Sequence, residues 1–138
     1  MGSNMSDIYG INEKSLDEIK FELEKLLNIQ FEDRYSDYLG GDYCLARSTP
    51  EDYSSSEMKI IKNLSDSPVN EGWYEDDFQE FEFILEIDDD FSPSPDEVFE
   101  IIIIQANDIK PLVRRMLNKE KNDILIYRFM KNKFELII

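Results

Sequence analysis

Residues 15–28, SLDEIKFELEKLLN, place Leu16, Ile19, Leu23, Leu26 and Leu27 at helical spacings, with Asp17, Glu18, Glu22 and Lys25 between them. On a 3.6-residue period the apolar set forms one stripe, so the segment reads as an amphipathic helix with one face on a core. Ser15 and Glu18 make a capping box: the hydroxyl accepts from an early backbone N–H, and the carboxylate reaches back to the N–H of the cap. The helix therefore begins near Ser15.

Beyond Ile29 the pattern changes. QFEDRYSDYLGGDYCLAR (30–47) reads as two strands around Gly40-Gly41, because paired glycines supply the positive backbone angles of a tight hairpin. Tyr35, Tyr38 and Tyr43 are then expected close to one another. SEMKIIKNL (56–64) reads as a third strand and FQEFEFILEI (78–87) as a fourth. In the fourth, Phe81, Phe83, Leu85 and Ile87 face a core and alternate with Glu82, Ile84 and Glu86, of which the two glutamates face out. Between these strands lies SDSPVNEGWYEDD (65–77), a loop rather than a domain linker because both flanks are strand-like. It holds the single tryptophan, Trp73, and is expected to be flexible.

SPSPDEVFEIIIIQAN (92–107) carries a second capping pattern, Ser94 to Glu97, with Pro95 at the favoured first helical position. A helix of about ten residues should follow. The run Ile101 to Ile104 favours strand by propensity, so a shorter helix yielding to a buried strand stays open. KPLVRRML (110–117) and DILIYRFM (123–130) read as further strands, and KFELII (133–138) completes a terminal hairpin through Lys131-Asn132. The implied fold class is α+β: an N-terminal amphipathic helix and a second short helix packed on a mostly antiparallel sheet. The length of 138 residues suits one domain, assigned to 5–138. MGSN at 1–4, followed by a second methionine at Met5, reads as an expression-vector remnant rather than a lipidation signal.

Charge changes this picture. Residues 1–28 carry 6 acids and 3 bases, residues 29–100 carry 21 and 4, and residues 101–138 carry 4 and 8, giving −3, −17 and +4 of the net −16. The acidity belongs to the middle of the chain. Within residues 72–91, GWYEDDFQEFEFILEIDDDF, nine carboxylates stand without one Lys or Arg. A field of this sign repels phosphate backbones and anionic membranes and attracts basic proteins and metal cations. The 41% hydrophobic content supplies a core, so the chain is not an acidic disordered tail. Direct nucleic-acid binding and membrane contact are not expected, and no apolar run approaches the roughly 20 residues of a bilayer span. Arg114, Arg115, Lys119 and Lys121 lack an interleaved aromatic platform and read as a solvated edge that balances nearby acid.

The residues offer little for catalysis. There is no histidine, which removes the commonest general base, the serine and cysteine triads and nearly every zinc site. Cys44 is the one cysteine, so no internal disulfide forms and a reducing cytoplasm is permitted. A calcium loop starting at Asp88 would have Pro93 where its turn needs glycine and Phe99 where it needs a bidentate glutamate. Gly40-Gly41 lacks the Lys-Ser/Thr of a phosphate loop. With 31 acids, carboxylate pairs arise by chance. No enzymatic activity, cofactor or metal is expected.

What remains is the acidic middle. A solubilising surface is its simplest reading. Against that, Trp73, Tyr74, Phe78 and the hairpin tyrosines interleave with carboxylates, and aromatic anchors within a charged field describe an interface with electrostatic steering. The candidate partner-binding residues are Trp73, Tyr74, Glu75, Asp76 and Asp77, aided by Asp88, Asp89 and Asp90, with Tyr35, Tyr38 and Tyr43 from the hairpin.

SLDEIKFELEKLLNIQFEDRYSDYLGGDYCLAR, then EGWYEDDFQEFEFILEI, then PDEVFEIIII resemble, in wording and order, the immunity proteins of bacterial polymorphic toxin and contact-dependent growth inhibition systems. The resemblance covers roughly residues 15 to 115, and KNDILIYRFMKNKFELII departs from it as an added hairpin. It implies a non-catalytic inhibitor that binds a cognate toxin domain in the cytoplasm of the producing cell. The charge points to a basic, nuclease-like target, whose cationic cleft a carboxylate array can occupy. The alternative is an acidic nucleic-acid mimic that regulates a DNA-binding protein.

Overall fold

The computed structural model describes residues 5–39, 41–47, 57–65, 72–118, 123–130 and 133–136. The strands are β1 (Met5–Ile11), β2 (Glu32–Ser36), β3 (Gly41–Arg47), β4 (Glu57–Lys62), β5 (Phe83–Asp88), β6 (Ile109–Asn118), β7 (Asp123–Met130) and β8 (Lys133–Leu136). They form one antiparallel sheet in the order β2-β3-β4-β5-β1-β6-β7-β8. Helices α1 (Leu16–Leu27) and α2 (Pro95–Gln105) pack on one of its faces. The fold is α+β, as the pattern implies.

Both helix starts follow from their caps. The Ser15 hydroxyl accepts from the Glu18 N–H at 3.1 Å, and the Glu18 carboxylate accepts from the Ser15 N–H at 3.0 Å. Ser94 caps α2 by accepting from the Glu97 N–H at 3.3 Å, with Pro95 in the first turn. The four isoleucines stay helical. Helix propensity disfavours isoleucine by at most about 0.7 kcal/mol per residue, while burying Val98 and Ile102 completely stabilises by about 1.5–3 kcal/mol each. Burial wins.

The strand that the sequence reading missed is the central one. β1 lies between β5 and β6 and is buried on both faces: Tyr9 and Ile11 face the helices, and Ile8 faces the other way. A strand covered on both sides shows no polar alternation to read. Asp7 is also fully buried, held by Arg114. Gly10 sits beneath Phe81 so closely that a Cβ would overlap the ring. Opposite β1, Ile8 pairs with Val113 but Tyr9 with Pro111, so Leu112 is the extra residue of a bulge. Proline, which has no N–H to give a ladder, is tolerated at such a position.

Two layers of core result. Beneath the helices lie Tyr9, Ile19, Leu23, Ile60, Leu85 and Ile102, among others. On the opposite face Ile8, Ile84, Phe78 and Val113 form a smaller cluster with Phe81 packed against it. This corrects the reading of the fourth strand. β5 begins at Phe83, Phe81 folds over the second face instead of lying in the strand, and Ile84 is fully buried. Among the described residues no helix is long and apolar enough to cross a membrane.

Candidate partner-binding surface

The acidic loop covers the helix-free face of the sheet, and Asn63 fixes its course. The buried Asn63 side chain donates to the carbonyls of Phe78 and Phe81 at 2.8 and 3.0 Å and accepts from the Glu75 N–H at 2.8 Å. Its backbone accepts from the Tyr74 N–H at 2.7 Å and donates to the Glu82 carbonyl at 2.8 Å. Five residues, Tyr74, Glu75, Phe78, Phe81 and Glu82, thus hang on one residue at the end of β4. Residues 66–71 of the expected loop lie outside the described residues. From Gly72 onward the loop is a packed layer, because Phe78 has a pocket over Ile8, Ile84 and Val113 to fill.

The candidate residues within it meet different ends. Trp73 is half-buried and bridges Leu64 at the root of the loop. The Tyr74 hydroxyl bonds both oxygens of Glu86, at 3.0 and 3.1 Å, and burial followed by the Glu86 charge pushes it well above the ordinary phenol range. Glu75 is buried, and its carboxylate takes a two-point contact from Arg115 at 2.6 and 2.9 Å. Asp76 and Asp77 are exposed in a single 3₁₀ turn, Asp76–Phe78. Tyr74 and Glu75 are therefore anchors of the fold, whereas Asp76 and Asp77 are carboxylates held out on it.

Asp88 lies two residues beyond Glu86 on the same face of β5. Its carboxylate accepts from the Glu57 N–H at 3.2 Å, and burial raises it to about 6 despite that bond and Lys59. Lys59 bridges Glu57 at 3.5 Å and Glu86 at 3.8 Å. Asp89 and Asp90 follow in the turn that ends the strand. Glu86, Asp88, Ser6, Arg115, Leu117 and Ile124 line a groove of about 390 Å³. The loop tip joins it through Arg115, which holds Glu75 and feels the charge of Asp77. The structure thus brings residues 74–77 and Asp88 to one place.

It does not bring the tyrosines there. β2 is the outermost strand, three inter-strand spacings or roughly 14 Å from β5. Tyr35 pairs with Asp42 and Tyr43 with Arg34, so Tyr35 and Tyr43 are offset by one position and point to opposite faces. Their expected proximity fails on that parity. Tyr35 and Tyr38 are exposed, with the Tyr35 hydroxyl on Asp37 at 2.8 Å, and Tyr43 is half-buried. Gly41 takes a positive φ of 124° in the expected turn, and Gly40 lies outside the described residues.

The basic group also differs from expectation. Arg114 grips Asp7 at 2.7 and 2.8 Å and Asp96 at 2.8 Å, tying the start of α2 to β1 and β6. With Arg115 on Glu75, both arginines are partly buried structural cations rather than a solvated edge. Lys119 and Lys121 lie outside the described residues. A signal existed: two charged residues inside the apolar run LVRRML call for buried partners. Asn63 gave none, since KNLSD reads as an ordinary strand end.

Cys44 is buried with its Sγ 3.5 Å from Asp33 Oδ1, and burial pushes the thiol up to about 12, which keeps it protonated and inert. Among the described residues no three His, Cys, Asp or Glu side chains converge as a metal site. Comparison with models of protein families, with curated proteins and with solved structures gives no match.

Proposed function

We propose that the chain is an immunity protein, a non-catalytic inhibitor that binds a cognate toxin domain of basic, nuclease-like character. The contact surface is the loop tip Asp76-Asp77 with Asp88 on the helix-free face, extended by Asp89 and Asp90 in the turn that follows the strand. The observation that carries this reading is the division of labour in the loop. Tyr74, Glu75 and Phe78 fasten it to the sheet while Asp76 and Asp77 stay exposed. Carboxylates fixed on a rigid platform bind a cationic partner with little ordering loss, and their field speeds encounter. The resemblance of residues 15 to 115 to immunity proteins supplies the class of partner.

The test is to measure, by stopped flow, association with the toxin-like domain encoded beside this gene. A rate that falls as salt rises, and falls about tenfold in Asp76→Lys/Asp77→Lys with unchanged melting, supports the reading. No complex with that domain, or a rate indifferent to salt, overturns it. Capture of a chromosomal DNA-binding protein in cells lacking the neighbouring locus would favour the nucleic-acid mimic instead.

A further inference from the structure

The groove of about 390 Å³ on the helix-free face has one acidic wall and one apolar wall. Glu86 and Asp88 of β5 make the first; Leu117 of β6 and Ile124 of β7, 43% and 54% exposed, make the second. Register sets all four on the same face. Ser6 pairs with Asp88 on one side and Arg115 on the other, and Leu117, two positions beyond Arg115, pairs with Ile124. Two inter-strand spacings, roughly 10 Å, separate β5 from β6, and between them β1 offers only the small Ser6. One long side chain spans that width.

Hydrogen-bonding capacity says what the acidic wall lacks. Two carboxylates can accept about eight donors. Among the described residues, Glu86 takes the single proton of the Tyr74 hydroxyl and Asp88 takes the Glu57 N–H, while Lys59 comes no nearer to Glu86 than 3.8 Å. The cations around the groove are engaged elsewhere: Arg47 and Lys59 on Glu57 at 3.2 and 3.5 Å, and Arg115 on Glu75. Arg128 shares the face but stands three strands from Asp88, roughly 14 Å or more, and Lys110 lies at the far end of the sheet opposite Gly10. Asp88 is thus a half-buried carboxylate without a cation in contact among the described residues, and burial raises its pKa to about 6.

The ligand such a groove fits donates and does not accept. A metal ion is the poorer occupant, since among the described residues no three ligating side chains converge and Lys59 stands beside the carboxylates. A guanidinium carries five donors on a planar fork, no acceptor, and a methylene stem that suits an apolar wall. Glu86 and Asp88, two residues apart on one strand, lie roughly 7 Å apart, a span that a fork meets better than the point charge of an ammonium. We propose, resting on the partner reading above, that the groove receives one arginine side chain of the partner, its head on Asp88 and Glu86 and its stem on Leu117 and Ile124. Asp76 and Asp77 then govern arrival, and the groove governs departure.

Two measurements test this apart from the identity of the partner. In the first, N-acetyl-arginine amide and its uncharged counterpart of the same shape, N-acetyl-citrulline amide, are titrated into the isotope-labelled full chain. Saturable amide shifts at Ser6, Asp88 and Leu117 are expected with the arginine compound alone, and Asp88→Asn and Leu117→Ser should each remove them. In the second, dissociation from the toxin-like domain encoded beside this gene should speed about tenfold in each of these variants while association changes less than about twofold, the reverse of Asp76→Lys/Asp77→Lys. Asp88→Asn is the decisive variant, because it should melt no lower than wild type and a loss of binding cannot then be a loss of fold. Absent shifts, equal shifts with both compounds, or a toxin complex that both variants release at the wild-type rate overturns the proposal. Groove shifts with the arginine compound and no complex with the toxin-like domain would support the groove and overturn the toxin as the source of its arginine.

Discussion

Replacing Glu75 should loosen the acidic loop, and the size of the effect follows from the pair it breaks. Arg115 contacts both oxygens of Glu75, and the two side chains are only 30% and 11% exposed. Removing one member of a fully buried pair costs about 3–5 kcal/mol, because the other charge is left without water or partner. Arg115 can recover part of its hydration through its exposed portion, which brings the expected loss in Glu75→Gln to about 2 kcal/mol. For a chain of this size that is a fall of about 7 °C in melting temperature. Glu75→Lys should lose more, since it sets two cations together and lifts Phe78 from its cluster with Ile8, Ile84 and Val113.

Thermal and urea unfolding of a double-mutant cycle, Glu75→Leu, Arg115→Leu and both together, isolates the pair. Each single change should destabilise, and the double should recover much of the loss because an apolar pair of similar shape replaces the ionic one. A coupling of about 1 kcal/mol or more is expected. By contrast Asp76→Lys/Asp77→Lys should stay within about 0.5 kcal/mol of wild type, since both carboxylates are exposed. Wild-type stability in Glu75→Lys, or a coupling below about 0.3 kcal/mol, would refute the claim that this pair anchors the loop.

Asp88→Asn should stabilise the protein at neutral pH. The fold raises Asp88 from 3.8 to about 6, so it favours the protonated form; that contribution is full below 3.8 and lost as pH rises through about 6. Melting temperatures at acidic and neutral pH should therefore differ less in Asp88→Asn than in wild type, and an unchanged difference would reject the buried-carboxylate account. Tyr9→Phe should raise stability by about 1 kcal/mol, because the Tyr9 hydroxyl is buried and, among the described residues, has no hydrogen-bond partner. A clear loss of stability on calorimetry would mean that the hydroxyl is satisfied after all.

The elements legible in the sequence are those whose causes are local. Ser15 with Glu18, and Ser94 with Pro95, fix the helix starts through bonds spanning three residues, so reading them needs no knowledge of the rest of the chain. The hairpin at Gly41 and the strands after Lys110 are similarly self-announcing. β1 is not, because its neighbours β5 and β6 are more than seventy residues away in the chain and bury both of its faces. Ile84 misled for a related reason. Alternation correctly set it opposite Phe83 and Leu85, but the outward face at that point is a second core, made by a loop whose packing no period reveals.

The acidic run shows the same division more sharply. Glu75, Asp76 and Asp77 are consecutive carboxylates with the same charge and similar side chains, and composition treats them as one feature. Their fates differ because the loop crosses β6 where Arg115 points toward it, forty residues along the chain, and only Glu75 stands within reach. The position of Arg115 on that face depends in turn on the extra residue Leu112 in the β6 bulge, because a one-residue shift reverses the faces of the positions on one side of it. Without the bulge, Arg114 and Arg115 would exchange faces relative to Pro111, so that Val113 would stand opposite Asp7 and Arg114, not Arg115, would point toward the loop. Which arginine meets the loop, and whether Asp7 has one opposite it, is thus set by a backbone irregularity in a distant strand. Which carboxylates are free to meet a partner is a property of sheet register rather than of the acidic segment itself.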